Sequence, residues 1–232
     1  ARDRFNYMVR AYKMPDSWSG LSEAEIDDRL LQTRLAIRRD GEANGGDLTV
    51  FSLYRDVVML KEVGWPLQVG DALGLADNRL RARVVMAQGR QNTNYGINLY
   101  ACHPFFIQGI ATMTNGENTA FVPVKEWLLG TNIPGYLGYH SDSETFAHIL
   151  HYVLRRLKLP LEFYKHVITP LRTEAFAPHP DAASLKGPRT ACRRLIIPVP
   201  HALIAPLPAE PCMPVLDPKH LRPPTLACRP GP

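Results

Sequence analysis

The sequence predicts an α+β fold, in which helices and antiparallel strands occupy separate stretches of the chain. Residues near 22–39 and 143–157 carry apolar side chains at helical spacing. Between them, residues 48–63 and 81–122 contain short runs of β-branched, aromatic and aliphatic residues. No long helical pattern separates these runs, which favours antiparallel pairing of the strands.

The first predicted helix lies within residues 16–39. Ser22 and Glu25 have the Ser-x-x-Glu spacing of a capping box, in which each side chain binds the other residue's backbone N–H. The glycine-containing run "RDGEANGGD" is expected to end this helix.

The strand-like region divides at glycine and proline. "LTVFSLY" and "DVVMLKEV" are predicted to be adjacent strands, and Pro66 begins a short helix that runs to about Leu73. "LRARVVMAQGR" is predicted to be a strand ending near Gly89. "FFIQGIATMT" and "TAFVPV" are predicted strands on either side of Asn115-Gly116, the dipeptide type that most favours a tight hairpin turn.

The second predicted helix, residues 143–157, has the clearest periodicity. Its apolar face consists of Phe146, Ile149, Leu150, Val153, Leu154 and Leu157. Ser141 and Glu144 form a second candidate capping box, and Pro160 ends the helix. His148 and His151 are interpreted as a solvated pair.

Composition changes after residue 169, since fifteen of the 21 prolines lie from Pro170 onward. The apolar runs "RRLII", "HALIA" and "MPVLD" can then be edge strands at best, because proline lacks a ladder donor. "RPPTLACRPGP" is expected to be poorly ordered. We predict one domain at residues 1–171, extended by a proline-rich, partly irregular segment at 172–232.

The charge distribution and the motifs argue against several classes of protein and of binding site. The net charge is +5, but the basic residues are scattered in pairs, so nucleic-acid binding rests on that charge alone. No apolar run is long enough to span a bilayer, and the charged segment "ARDRFNYMVRAYK" is not expected to act as a secretory signal. The four cysteines form no CxxC, which favours a reducing, cytoplasmic setting. No GxGxxG, P-loop or HExxH occurs, so no NAD, ATP or metal site is predicted.

Cys102 and His103 could suggest a thiolate–imidazole pair. Neighbouring residues on a strand point to opposite faces, so the two side chains are not expected to meet. A buried cysteine and a structural histidine are the expected roles.

The ordered motifs "LKEVGWPLQVGDALGL", "GRQNT", "ACHPF", "TNGEN" and "SDSETFAHIL" resemble the class II glutamine amidotransferase domain, an N-terminal-nucleophile hydrolase. Within that family the chain resembles in particular the amidotransferase subunit or domain of archaeal-type glutamate synthases. The resemblance covers residues 7–171 and continues more faintly to "VLDPKHLRP". It implies a four-layer αββα sandwich of two antiparallel sheets, incomplete here at the N-terminus.

The resemblance assigns substrate binding to Arg90, Thr93 and Asp142. A guanidinium at Arg90 can bind the α-carboxylate of glutamine through two parallel hydrogen bonds, with help from Thr93. Asp142 would accept hydrogen bonds from the α-ammonium group. The alternatives are a surface arginine for Arg90 and a helix N-cap for Asp142.

The resemblance assigns the oxyanion hole to Asn115 and Gly116. A side-chain amide and a backbone N–H there would stabilise the negative charge of a tetrahedral intermediate. For an isolated Asn-Gly, a hairpin turn is the better interpretation, and a turn and an oxyanion hole are compatible.

The family's nucleophile is a cysteine at the mature N-terminus, with its own α-amine as the base. Residue 1 here is alanine, followed by "RDRF", and the start of the chain resembles a segment inside the domain. We expect this chain to bind glutamine poorly, to hydrolyse none, and to associate or dissolve poorly in isolation.

The leading hypothesis is therefore a glutaminase module that supplies ammonia to a synthase partner, most similar to glutamate synthase. The resemblance implies FMN and iron–sulfur clusters only in that partner, with no cofactor or metal in this chain. The second hypothesis is a non-catalytic relative that acts as a binding or scaffold domain.

Overall fold

The computed structural model describes residues 8–45, 48–89, 99–133, 135–136, 141–169, 173–207 and 213–216. The chain divides into two compact units, Ala1–Leu60 and Lys61–Pro232. The predicted α+β class is confirmed, with helices in both units and a small antiparallel sheet in the second.

The secondary structure of the described residues follows the order of the chain. The helices are α1 (Glu23–Ala43), α2 (Pro66–Ala72), α3 (Phe121–Gly130), α4 (Glu144–His151), α5 (Phe163–Ile168), α6 (Thr173–Phe176) and α7 (Ala182–Ala191). A π-helical turn (Tyr152–Arg156) continues α4, and 3₁₀ turns occupy Asp16–Trp18 and Arg193–Leu195. The strands are β1 (Phe105–Ile107), β2 (Ile110–Asn115), β3 (Ala202–Ala205) and β4 (Met213–Leu216).

Helix α1 of the first unit begins at the predicted capping box. The Ser22 hydroxyl accepts the Glu25 N–H at 3.4 Å, and the Glu25 carboxylate accepts the Ser22 N–H at 2.8 Å. The helix continues past the predicted end at Arg39 and stops at Ala43, where Asn44 forms the C-cap.

The strands predicted within residues 48–63 and 81–89 are wrong, because the described residues there form no strand. In the first unit the Tyr54 hydroxyl donates to the Asp27 carboxylate at 3.0 Å, and Arg55 pairs with the same carboxylate at 3.3 Å. Side chains of α1 thus hold this segment in place of a neighbouring strand. β-branched residues favour strands only where such a neighbour exists.

The second unit contains the sheet, whose strand order is β1-β2-β3-β4 with every pair antiparallel. β1 and β2 form a hairpin whose turn residues, Gln108 and Gly109, have positive φ of 44° and 81°. The run "FFIQGIATMT", predicted as a single strand, is therefore two strands joined by this tight turn.

The predicted hairpin at Asn115-Gly116 is wrong, since β2 ends at Asn115 and the next regular element is helix α3. Pro123 lies in the first turn of α3, where a missing N–H costs no intrahelical hydrogen bond. Val124 and Leu128 are buried one turn apart on this helix. This helical spacing extends beyond "TAFVPV", so that run alone was too short to distinguish a helix from a strand.

The predicted helix at residues 143–157 is confirmed as α4 and its π-helical continuation, which end before Pro160. The capping box predicted there is wrong: Ser143 is the N-cap and its side chain caps no backbone N–H, and the buried Ser141 hydroxyl makes no hydrogen bond within the described part of the chain. Helix α4 contacts β1, β2 and α3. The fully buried core of the second unit includes Ile110, Leu128, Phe146, Ile149, Leu150, Val153, Tyr164, Ile168, Leu195, Ile197 and Leu203.

The proline-rich region contributes two strands to the sheet. β3 lies between β2 and β4, so the expectation of an edge strand is wrong for "HALIA". Pro200 and Pro206 flank β3 and leave its N–H groups free to pair. β4, which contains Pro214, does lie at the edge. The predicted boundary at residue 171 falls inside the second unit and stays a prediction.

Substitution Ser22→Ala should destabilise α1 by about 1 kcal/mol, because it leaves the Glu25 N–H without its capping acceptor. Amide hydrogen exchange in the first two turns of α1 measures the effect. Ser19→Ala, the same chemical change at an exposed hydroxyl, should alter stability by less than about 0.5 kcal/mol. Equal effects of the two variants would contradict the capping role.

Candidate functional site

The end of strand β2 places Asn115 and Gly116 against the start of β3. Asn115 is exposed and pairs with Ala202. Gly116 has φ of +151° and lies beside Pro200 and His201. A Cβ at Gly116 would lie 2.6 Å from the Pro200 carbonyl oxygen, which is closer than any real contact. Only glycine therefore fits at this position.

Asp142 binds the loop that follows Gly116. Its Oδ2 accepts the backbone N–H of Asn118 at 2.5 Å, and its Oδ1 accepts the Ser143 hydroxyl at 3.3 Å. The residue is only 4% exposed. The Asp142 carboxylate thus faces the β2–α3 loop, while its backbone carbonyl accepts hydrogen bonds from Thr145. The N-cap alternative for Asp142 is wrong, because Ser143 occupies that position.

A second contact brings the chain before Arg90 to the same strand. The side-chain amide of Gln88 donates to the carbonyl oxygen of Thr114 at 3.3 Å. Gln88 is two residues before Arg90, and Thr114 directly precedes Asn115. Arg90 and Thr93 themselves lie outside the described residues.

Helix α4 is buried all round, which makes the solvated interpretation of its histidines wrong. His148 and His151 are each 1% exposed. All eight residues of α4 are buried, because the sheet and other helices cover every face. The sequence contained the signal: "ETFAHILH" has one charged residue, whereas a helix with a solvated face usually carries several.

Two polar side chains in the first turns of α4, Glu144 and His148, form a buried group with Tyr136. Nε2 of His148 lies 3.6 Å from the Glu144 carboxylate, and the His148 ring meets the Tyr136 ring edge-on at 5.1 Å. Burial raises the pKa of Tyr136, and the negative charge of Glu144 raises it further. Tyr136 therefore keeps its proton at neutral pH, but its hydroxyl makes no hydrogen bond to the residues that the structure describes. Sequence reasoning missed this group.

The far end of α4 is tied to the β1–β2 turn. Nε2 of His151 hydrogen-bonds the side-chain oxygen of Gln108. Burial lowers the pKa of His151 to about 3, with smaller contributions from the positive charges of His148, Arg156 and Arg155. The imidazole is thus neutral at physiological pH.

Cys102 and His103 form no dyad, as expected from their adjacency. The Cys102 thiol donates to the Leu99 carbonyl, and His103 Nε2 lies 2.9 Å from the Thr114 hydroxyl. Cys102 is half-buried rather than buried, and neither residue lies on a strand. His103 adds a third contact to the end of β2.

A groove of about 680 Å³ lies between α3 and the 3₁₀ turn at Arg193–Leu195. It is lined by Ala120, Pro123, Glu126, Trp127, Gly130, Thr131, Arg193, Arg194 and Ile196. None of these is a predicted site residue. The buried hydrogen-bonding groups near Asp142 are the stronger indication of a site, because this groove is open and its charged residues are exposed.

Three further observations concern metal ligands, membrane-spanning helices and cysteines. No cluster of three or more His, Cys, Asp or Glu side chains among the described residues could hold a metal ion. No helix in that part of the chain has both the length and the apolar composition to cross a bilayer. Cys102 and Cys192 are free thiols.

No protein-family model, no curated protein and no solved structure matches this chain.

Gly116→Ala should destabilise the second unit by about 1–3 kcal/mol, since a methyl group would collide with the backbone at Pro200. Urea denaturation measures the change. Gly130→Ala is the matched control: its Cβ meets nothing within 4 Å, and alanine at a helix end should stabilise by up to about 1 kcal/mol. Loss of stability in both variants would contradict the close approach.

Stability should fall on acidification, and His151 should contribute to the slope. Its folded pKa lies below the unfolded value of 6.5, so between pH 6.5 and about 3 the unfolded chain binds the extra proton. Stability is lost as pH falls through this range, by at most about 1.4 kcal/mol per pH unit. His151→Gln should flatten the curve of stability against pH in urea denaturation, because it removes the group that titrates. An unchanged slope for His151→Gln would contradict the buried neutral imidazole.

Proposed function

We propose that this chain is a class II glutamine amidotransferase module that hydrolyses glutamine to glutamate and supplies the ammonia to a synthase partner, a glutamate synthase. The single observation that carries the proposal is the hydrogen bond from the Asn118 N–H to the buried Asp142 carboxylate. It joins the loop after Asn115-Gly116 to the residue assigned to bind the α-ammonium group of the substrate.

The Gln88–Thr114 hydrogen bond supports the same proposal from the other side. It holds the segment that leads to Arg90 beside the last residues of β2. A cation at Arg90 and an anion at Asp142 are the two charges that a zwitterionic amino acid requires. The loop after Asn115-Gly116 thus contacts Asp142 directly, and Gln88, two residues before Arg90, contacts Thr114.

In this proposal each residue has one role. Arg90, helped by Thr93, binds the α-carboxylate, and Asp142 accepts hydrogen bonds from the α-ammonium. Asn115 and the backbone N–H of Gly116 stabilise the oxyanion that forms when the side-chain amide is attacked. In the family the attacking sulfur belongs to a cysteine at the mature N-terminus, and FMN and iron–sulfur clusters belong to the synthase partner.

We propose that the sheet and α4 are parts of a four-layer αββα sandwich of the N-terminal-nucleophile type. The packing of α4 on β1 and β2 supports the pairing of one helical layer with one sheet. The cytoplasm, where glutamine and its synthase partner would meet, is the proposed location. The alternative function is a binding or scaffold domain that keeps the site but performs no hydrolysis.

Calorimetric titration of the full-length protein with glutamine tests the proposal. Asp142→Asn preserves the shape and an acceptor for the Asn118 N–H but removes the charge that binds an ammonium group. Arg90→Ala removes the guanidinium group that is proposed to bind the α-carboxylate. Each should weaken binding about 10- to 100-fold, since a hydrogen bond to a charged group contributes about 1.5–3 kcal/mol.

The matched controls are Asp71→Asn and Arg83→Ala, which make the same changes at exposed positions and should leave affinity unchanged. Failure of the unmodified protein to bind glutamine would contradict the proposal, as would site variants that behave like the controls. Ammonia release from glutamine supports the enzyme, whereas binding without release favours the scaffold.

A further inference from the structure

Asn118 makes two hydrogen bonds that fix its position beside Asp142. Its backbone N–H donates to Asp142 Oδ2, and its side-chain oxygen accepts the Ala120 N–H at 3.0 Å. The residue is 4% exposed. Main chain and side chain are thus both held between the end of β2 and the start of α3.

The second hydrogen bond determines which way the amide points. A flipped amide would set its NH₂ group against the Ala120 N–H, two donors facing each other. The side-chain oxygen therefore faces Ala120, and the NH₂ group points away from it. Among the residues that the structure describes, this buried NH₂ group has no hydrogen-bond partner.

Buried donors without an acceptor are rare in folded proteins, and each one calls for an explanation. Here the unused donor belongs to the residue whose backbone holds Asp142. The hydroxyl of Ser141, the residue before Asp142, is fully buried and likewise makes no hydrogen bond to any described residue. Polar groups on both sides of the Asp142 contact thus retain hydrogen-bonding capacity that the protein does not use.

We propose that Asn118 is a further substrate-contacting residue, whose side-chain NH₂ donates to the α-carboxylate of an amino acid held through its ammonium group by Asp142. Both groups of an α-amino acid are attached to one carbon, so a donor beside the ammonium site lies beside the carboxylate. The inference rests on the proposed function and extends it: a neutral side-chain amide takes part in recognition of the carboxylate.

Asn118→Asp in the full-length protein tests the contact. Aspartate keeps an oxygen for the Ala120 N–H but replaces the NH₂ group with a second oxygen that repels a carboxylate. The ligands are L-glutamine and 4-aminobutanamide, which is glutamine without its carboxylate. Glutamine affinity should fall at least about 30-fold, because a charge-assisted hydrogen bond becomes a repulsion. Affinity for 4-aminobutanamide should stay equal or increase.

Two further variants complete the design. Asn132→Asp makes the same chemical change at an exposed asparagine of the second unit and should leave both affinities unchanged. Asn118→Ala introduces no charge and should weaken glutamine binding about five- to thirtyfold without affecting the analogue. It keeps the test decisive if the aspartate variant fails to fold.

The outcomes separate this inference from the function on which it rests. If the unmodified protein binds no glutamine, both fail. If it binds glutamine and both Asn118 variants match Asn132→Asp, the contact is wrong and the proposed function stands. If the variants lose both ligands equally, Asn118 has only a structural role, and the inference is again overturned.

Discussion

One buried hydrogen bond, from the Asn118 backbone N–H to the Asp142 carboxylate, constrains the path of the chain between the sheet and helix α4. A carboxylate in a protein interior is costly unless donors surround it. This one receives a backbone N–H and the Ser143 hydroxyl, so the β2–α3 loop is fixed to the start of α4. The loop can reach Asp142 only because Gly116 passes Pro200 without a side chain. After Asn118 the chain turns directly into α3.

Helix α4 is the second consequence of this arrangement. Its burial on every side places Glu144, His148 and His151 in a medium where charge is poorly solvated, which explains the lowered pKa of His151. Polar groups are tolerated there where other elements supply contacts, as Gln108 does for His151 and Tyr136 does for His148. The helix thus contributes both apolar core residues and buried polar side chains to the unit.

The sequence predicted the elements whose signals are local. The capping box at Ser22, the proline start of α2 and the apolar period of α4 each specify a helix through neighbouring residues alone. The strands predicted near residues 48–63 do not form. A strand requires a neighbouring strand, which a local sequence pattern cannot identify, and this segment instead contacts side chains of α1. The hairpin predicted at Asn115-Gly116 does not form, because the residues that follow belong to helix α3. The helical spacing of α3 becomes visible only when residues beyond "TAFVPV" are included. The motifs around Asp142 identified the segments of the candidate site, but Asn118 could not be found, because its role depends on a bond to a residue 24 positions away.

The central claim is that the Asp142 carboxylate, the Asn115–Asn118 loop and Arg90 surround one small zwitterion. A crystal structure of the full-length protein with L-glutamine tests it most directly. The account predicts the ligand ammonium within hydrogen-bonding distance of Asp142, and its carboxylate on Arg90 and the Asn118 amide. Glutamine bound elsewhere, or Arg90 pointing away from the end of β2, would contradict it.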